Sequence, residues 1–393
     1  MNLLKSLTLT LLLFLFSHTA YSQASPESFI ETIEGVQEST EGDLDHLTLE
    51  GLMEEFGIPG VSIAVIKDYE VHWAKGYGVA DVETGALVDE HTVFQAASIS
   101  KPVAAMAVMK AVQEGYFSLD DDINTILTSW KLPDSEFTEE QPVTPRMLTS
   151  HTSGLGDGFG FPGYKPDAPM PTLVQIMDGD DPSNVGKVLM ERAPMKAIKY
   201  SGGGVTMMQL ALSDALDKPF EEIAQEYVLG PVGMTDSAFD QPISKERDQN
   251  AARAHNAAGR SMGVKWHVYP EQAAAGLWTT PTDLAKFAIE VQKTLKGDSP
   301  NVIDRAHMLE MVTPVGVGDF AVGFEIEKRG QGWYFQHGGA NWGFKCVLVA
   351  HKAKGYGMAV MTNGIRGHYI MTELLNRVSR AYEWDIHDKR VPR

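Results

Sequence analysis

The chain has 393 residues, 43% of them hydrophobic and 22% charged, the balance of a folded globular protein with an ample core. Its formal charge of −19 argues against nucleic acid or anionic membranes as partners, because their phosphates would be repelled. The single cysteine, Cys346, rules out an internal disulfide, and the twelve histidines include no H-E-x-x-H and no tight cluster that would support a bound metal.

In chain order, Lys5 precedes an apolar run from Leu7 to Phe16, and small residues follow at Ala20 and Ser22. That is the layout of a cleavable export leader over residues 1–22. Its apolar run is too short to cross a bilayer comfortably, so we expect a periplasmic or secreted protein with no stable membrane span after cleavage. Residues 23–44 read as a polar, acidic lead-in, and the folded domain is expected over 45–393. Leu47, Leu49, Leu52, Met53 and Phe56 form a helical stripe that predicts a helix over 45–56, closed by Gly57 and Pro59. Residues 61–66 and 70–76 predict a β-hairpin.

A strong helix is predicted from Ser98 to about Gly115. Pro102 fits it only in or near the first turn, where backbone N–H groups lack partners, and this places Ser98 at the helix N-terminus. Residues 116–180 are rich in Pro, Gly and Asp. Helices follow over 207–216, 220–229 and 281–296, the last capped by Thr280 or Thr282. The final third turns to strands over 320–327, 333–336, 344–350 and 357–362, then an amphipathic helix over 369–382. Cys346 falls within the third of these strands and reads as a buried, inert thiol. The predicted fold class is α/β: one antiparallel sheet built from both chain ends and flanked by helices, with a mainly helical insertion at about 116–270.

Ser98-Ile99-Ser100-Lys101 is the only Ser-x-x-Lys in the chain. On a helix, residues i and i+3 share a face, so hydroxyl and amine can meet. A serine hydroxyl is a weak nucleophile until a base takes its proton, and a lysine can be that base if burial or neighbouring charge favours its neutral form. The helix N-terminus adds N–H groups and positive potential for an oxyanion. Alone the motif is weak, because a capping serine beside a lysine is common.

Its surroundings make it specific. Residues 92–102 (TVFQAASISKP) resemble the nucleophile segment of the serine β-lactamase and penicillin-binding protein superfamily, most closely its class C β-lactamase and esterase branch. Further blocks follow in the order of that branch: 60–66, 76–81, 148–155 (LTSHTSGL), 200–204 (YSGGG), 231–234, 276–284 (GLWTTPTDL) and 337–339 (HGG). The resemblance covers roughly residues 45–380. It implies a β-lactamase/transpeptidase-like fold and hydrolysis of a small-molecule or short-peptide substrate through an acyl-enzyme on Ser98, with no cofactor. The scissile carbonyl would be an ester or amide. The alternatives are a true class C-type β-lactamase or DD-carboxypeptidase, with a lactam or D-alanyl substrate, and a penicillin-binding module of slow turnover.

The resemblance also assigns roles. Tyr200 would sit across the site from Lys101, share base duty and protonate the leaving group. His337, Gly338, Gly339 and Ala340 would bind substrate along a strand edge, and the backbone N–H groups of Ala340 and Ser98 would form the oxyanion hole. The chain departs from the family pattern twice. Gly202 stands where an asparagine often contacts the acyl side chain. His337 stands where a lysine usually meets a substrate carboxylate, and a mostly neutral histidine is a weaker partner for that group. His151 reads mainly as a loop-holding residue, and Trp278 and Trp342 as core or pocket wall. Residues 259–263 (GRSMG) match the G-x-S-x-G nucleophile elbow, but no apolar strand precedes them and no helical stripe follows, so Ser261 reads as a loop residue.

Overall fold

Gly60–Lys67 buries nearly every residue, as a strand covered on both faces must, and it becomes an interior strand of the main sheet. In the computed structural model, residues 25–38, 42–139, 141–156, 161–298 and 301–388 are described, so the leader over 1–22 lies outside the described residues. The N-terminal part supplies β1 (Gly60–Lys67), β2 (Glu70–Asp81) and the short β3 (Ala86–Leu87). A separate two-stranded ribbon pairs β4 (Phe94–Gln95) with β5 (Trp278–Thr279). The C-terminal part supplies β6 (Glu325–Arg329), β7 (Gly332–Asn341), β8 (Phe344–His351) and β9 (Gly357–Thr362).

The main sheet has seven strands in the order β3-β2-β1-β9-β8-β7-β6, with antiparallel neighbours throughout. The chain ends meet where Val61 pairs with Thr362 and Ile66 with Gly357. Among the described residues, the sheet takes no strand from the stretch between β3 and β6. The architecture is the α/β sheet from both chain ends that the sequence predicts.

Strand alternation divides the core in two. Ile63 and Val65 face the helices Leu49–Phe56 and Gly367–Ala381, packing with Leu52, Ile370 and Leu374. Ala64 and Ile66 face the larger core built on the helix Ser100–Gln113. Eleven residues of that helix are buried, so it is a central helix wrapped on all sides rather than an amphipathic one at the surface.

Several boundaries move for identifiable reasons. The first predicted helix starts at Leu49 instead of residue 45, because the Thr48 side chain accepts from the Gly51 N–H and caps it there. The helix expected over 207–216 begins earlier, at Gly202, with Ser201 accepting from the Gly204 N–H; three glycines conceal its first turn. The segment 220–229 is an α-helix to Ala224 and a π-turn from Gln225 to Leu229. The strand expected over 320–327 is β6 from Glu325, preceded by a bend at Gly323 with φ +91°. The strand expected over 333–336 runs on to Asn341, through the paired glycines.

The polar lead-in is tied to the fold. Pro26–Glu34 forms a helix with Ile33 buried. The fully buried Arg377 donates to the carbonyls of Ile33, Gly35 and Leu47 and to Glu373. Composition hid this attachment, which combines hydrogen bonds from a distant arginine with Ile30 and Ile33 packed on the smaller core and Phe29 stacked on Tyr382.

Candidate active site

β4 leads into a tight turn, Ala97–Ile99, from which the central helix starts at Ser100. Ala97 holds φ +48°, a left-handed conformation that costs a residue with a Cβ and persists only where surrounding contacts enforce it. Those contacts are present. The Ser100 hydroxyl donates to the Ala97 carbonyl at 2.6 Å and accepts from the Leu277 N–H at 3.0 Å. The Ala96 N–H donates to the Leu277 carbonyl, and Cys346 Sγ donates to the Ala96 carbonyl at 2.8 Å. Burial pushes the Cys346 thiol far above its ordinary range, consistent with an inert packing role. Ser98 is left at the tip of a turn clamped from three sides.

Lys101 is buried, and its ammonium donates to Ser98 Oγ at 2.9 Å and to the Ala274 carbonyl at 2.8 Å. The carbonyl comes from the helical turn Gln272–Ala275, a partner that the motif did not reveal. Lys101 Nζ also lies 4.9 Å from the centroid of the Tyr200 ring, within cation–π range. Tyr200, 44% exposed, precedes the helix Gly202–Leu216, and its ring packs against His151 with centroids 4.1 Å apart and planes tilted by 32°. His151 is buried with φ +60°, and its Nδ1 accepts from the Ser201 N–H. Burial, with Lys101 and His337 nearby, holds its pKa well below the ordinary histidine value. His151 supports Tyr200 and fixes the loop, as the sequence reading mainly expected.

The opposite wall is β7. β6 pairs with it only as far as Gln336, while β8 continues to Asn341. Residues 337–341 therefore run past the last β6 partner and pack against the nucleophile turn. Gly339 allows that approach: a Cβ there would lie 2.3 Å from both the Ala96 carbonyl oxygen and Cys346 Sγ. A Cβ on Gly338 would meet nothing nearer than 4.0 Å. His337 is buried, with its ring centroid 6.2 Å from that of Tyr200. Its Nδ1 contacts the Gly338 carbonyl at 2.7 Å, while Nε2 is buried without a hydrogen-bond partner. Burial and the Lys101 charge lower its pKa to about 3.

Ser98, Lys101, Tyr200, His337, Gly338, Gly339 and Ala340 thus come from three distant segments to one cleft. Ser261 does not join them: it forms an isolated antiparallel bridge with His255, and its hydroxyl accepts from the Gly263 N–H. Trp278 is core, while Trp342 stacks at 4.1 Å on His267. Phe320, absent from the sequence candidates, packs edge-on to His151 and beside Tyr200 and His337. It precedes β6 by sequence but belongs to the site wall. No cluster of metal-ligating side chains occurs among the described residues.

The arrangement places a hydroxyl, an amine and a phenol at one strand edge, the parts needed for nucleophilic attack on a carbonyl with proton transfer. Comparison with known proteins agrees with that chemistry. The Beta-lactamase family model matches residues 47–369. An uncharacterised Mycobacterium tuberculosis protein is 28% identical over 234 residues, covering 53% of this chain and 56% of its relative. The chain therefore spans little more than half of that protein's length. Penicillin-binding protein 4 of Amycolatopsis lactamdurans is 23% identical over 342 residues, or 84% of this chain and 87% of that one. Among solved structures, D-amino acid amidase from Ochrobactrum anthropi, complexed with L-phenylalanine amide, has a TM-score of 0.65 at 21% identity, covering 91% of this chain and 99% of that one. That likeness shows a shared fold.

Proposed function

The chain belongs to the Beta-lactamase family, and on that premise we propose that it hydrolyses an ester or amide through an acyl-enzyme on Ser98. The observation that carries this reading is the 2.9 Å contact between Lys101 Nζ and Ser98 Oγ, with Nζ fixed from behind by the Ala274 carbonyl.

Ser98 Oγ attacks the carbonyl carbon and passes its proton to the Lys101–Tyr200 pair, which enters the step one proton short, as ammonium beside phenolate or as amine beside phenol. The oxyanion sits against the N–H groups of Ser98 and Ala340. Collapse expels the alcohol or amine, which leaves with a proton returned through Tyr200. Water then adds to the acyl-enzyme, gives up its proton to the same pair and releases the acid, restoring the Ser98 hydroxyl. The leader-like layout of residues 1–22, a basic residue, an apolar run and small residues after it, favours export to the periplasm or the medium.

Gly202 offers no side-chain amide to an acyl substituent, which favours simple esters and amides over amide-substituted β-lactams. A panel of p-nitrophenyl esters, D-amino acid amides and nitrocefin tests the reading. We expect turnover of the esters or amides to exceed that of nitrocefin, and the reverse order would establish a β-lactamase. The resemblance to a penicillin-binding protein favours a second reading, in which Ser98 is acylated but scarcely turned over. A stable penicillin adduct in the intact mass, without ester or amide turnover, would establish it.

A further inference from the structure

Two buried amides join the strand end that carries Ala340 to the strand that leads into the nucleophile turn. Gln95 lies in β4, three positions before Ser98, and Asn341 ends β7, directly after Ala340. They are only 1% and 9% exposed. Asn341 Nδ2 donates to Gln95 Oε1 at 3.0 Å and to the Ala275 carbonyl at 3.1 Å. Gln95 Nε2 donates in turn to the His267 carbonyl at 2.7 Å. Backbone carbonyls can only accept, so these two fix which end of each amide points where. The Gln95 oxygen is thereby left facing the Asn341 N–H group.

β7 has no β6 partner after Gln336, so residues 337–341 are held in the sheet from the β8 side alone. A strand end paired on one side keeps some freedom to shift. Asn341 limits it, because one side chain ties that end both to β4 and to the helical turn Gln272–Ala275, whose Ala274 carbonyl holds Lys101. The tie is braced next door. The Trp342 N–H donates to the Tyr269 hydroxyl at 3.0 Å, and its indole stacks on the ring of His267, the residue whose carbonyl holds Gln95.

Two N–H donors stabilise an oxyanion only at a fixed separation, and an error of about 1 Å can cost about 100-fold in rate. Ser98 and Ala340 come from segments far apart in the chain, so no local geometry sets the distance between them. We propose that Asn341 is a positioning residue for acyl transfer: through Gln95 it holds the Ala340 N–H in register with the Ser98 N–H, so that both meet the oxyanion. The proposal rests on the acyl-transfer reading above and adds to it a residue that acts through its neighbours.

The test compares an aryl ester with its thionoester, in which sulfur replaces the carbonyl oxygen and accepts hydrogen bonds weakly. Wild type should turn over the ester at least about tenfold faster, because aligned N–H groups favour oxygen. In Asn341→Ala, kcat for the ester should fall about 10- to 100-fold with KM within about threefold, and the ester-to-thionoester ratio should shrink towards unity. Gln95→Ala cuts the same bridge from the other side. It should shrink the ratio likewise, and it carries the test if Asn341→Ala does not fold. The double variant should be no slower than the slower single one, because the two amides act as a unit. A brace that serves stability alone would lower the melting temperature and leave the ratio at its wild-type value in the folded variants, and that result would overturn the proposal. Fluorophosphonate labelling of Ser98 in wild type separates the two levels. Neither labelling nor turnover there condemns the acyl-transfer reading itself, whereas normal wild-type turnover with unchanged ratios in the variants condemns the role of Asn341 alone.

Discussion

Lys101 Nζ is held between Ser98 Oγ at 2.9 Å and the Ala274 carbonyl at 2.8 Å. One contact faces the reaction and the other aims the amine. Lys101→Met keeps the apolar stem and removes both contacts. We expect a fall in kcat/KM of about 100- to 10,000-fold, the range for loss of a general base. Steady-state kinetics on the best ester or amide measures it, and a variant within threefold of wild type would remove Lys101 from the mechanism.

Tyr200 allows two roles to be separated, because its ring packs against His151 and Lys101 while the residue as a whole is 44% exposed. Tyr200→Phe preserves the ring contact with His151, so the melting temperature should stay within about 2 °C of wild type while kcat falls at least about 100-fold. Tyr200→Ala should lose both. Equal kinetics for wild type and Tyr200→Phe would leave the ring as packing alone.

The two glycines of β7 should respond in opposite ways. At Gly339 a methyl group would collide with the Ala96 carbonyl and Cys346 Sγ, so Gly339→Ala must push the nucleophile turn out of place. Overpacking of this kind costs about 1–3 kcal/mol, and thermal unfolding and activity should both register it. Gly338→Ala meets open space and should leave the melting temperature close to that of wild type. Similar losses from both substitutions would contradict the packing described.

Glu271 gives a pH prediction with a definite sign. It is fully buried, neither carboxyl oxygen has a partner, and burial raises its pKa from 4.5 to about 8. The folded state therefore keeps a proton that the unfolded chain gives up above pH 4.5 or so. Its stabilising contribution is complete below that value and is lost as pH rises through about 8. Glu271→Gln removes this group from the titration. The melting temperature of wild type should decline more between pH 5 and 9 than that of the variant, and parallel curves would show Glu271 to be ionised in the fold.

Much of the site was legible because its chemistry sits in short blocks whose spacing is local. Ser98 and Lys101 lie one helical turn apart, and the helix Pro281–Lys296 appears with its Thr280 cap, as its sequence predicts. What escaped was set by distant partners. The Ala274 carbonyl contributes only its backbone, so no residue type announces it. The helix Pro26–Glu34 is anchored by Arg377, more than 340 positions away, and its polar composition hides that attachment. Phe320 looked like the start of a strand, but the bend at Gly323 turns it into the wall of the cleft. Glycines at 202–204 and 338–339 masked regular structure because propensity counts against them, whereas close packing at Gly339 requires one.

The central claim is that Ser98 is the nucleophile. Incubation with a fluorophosphonate, followed by intact mass and peptide mapping, tests it most directly. The account predicts one adduct per chain on the peptide containing Ser98, loss of hydrolysis in proportion to labelling, and neither labelling nor hydrolysis in Ser98→Ala. Hydrolysis that survives Ser98→Ala, or an adduct mapped to Ser261 instead, would contradict it.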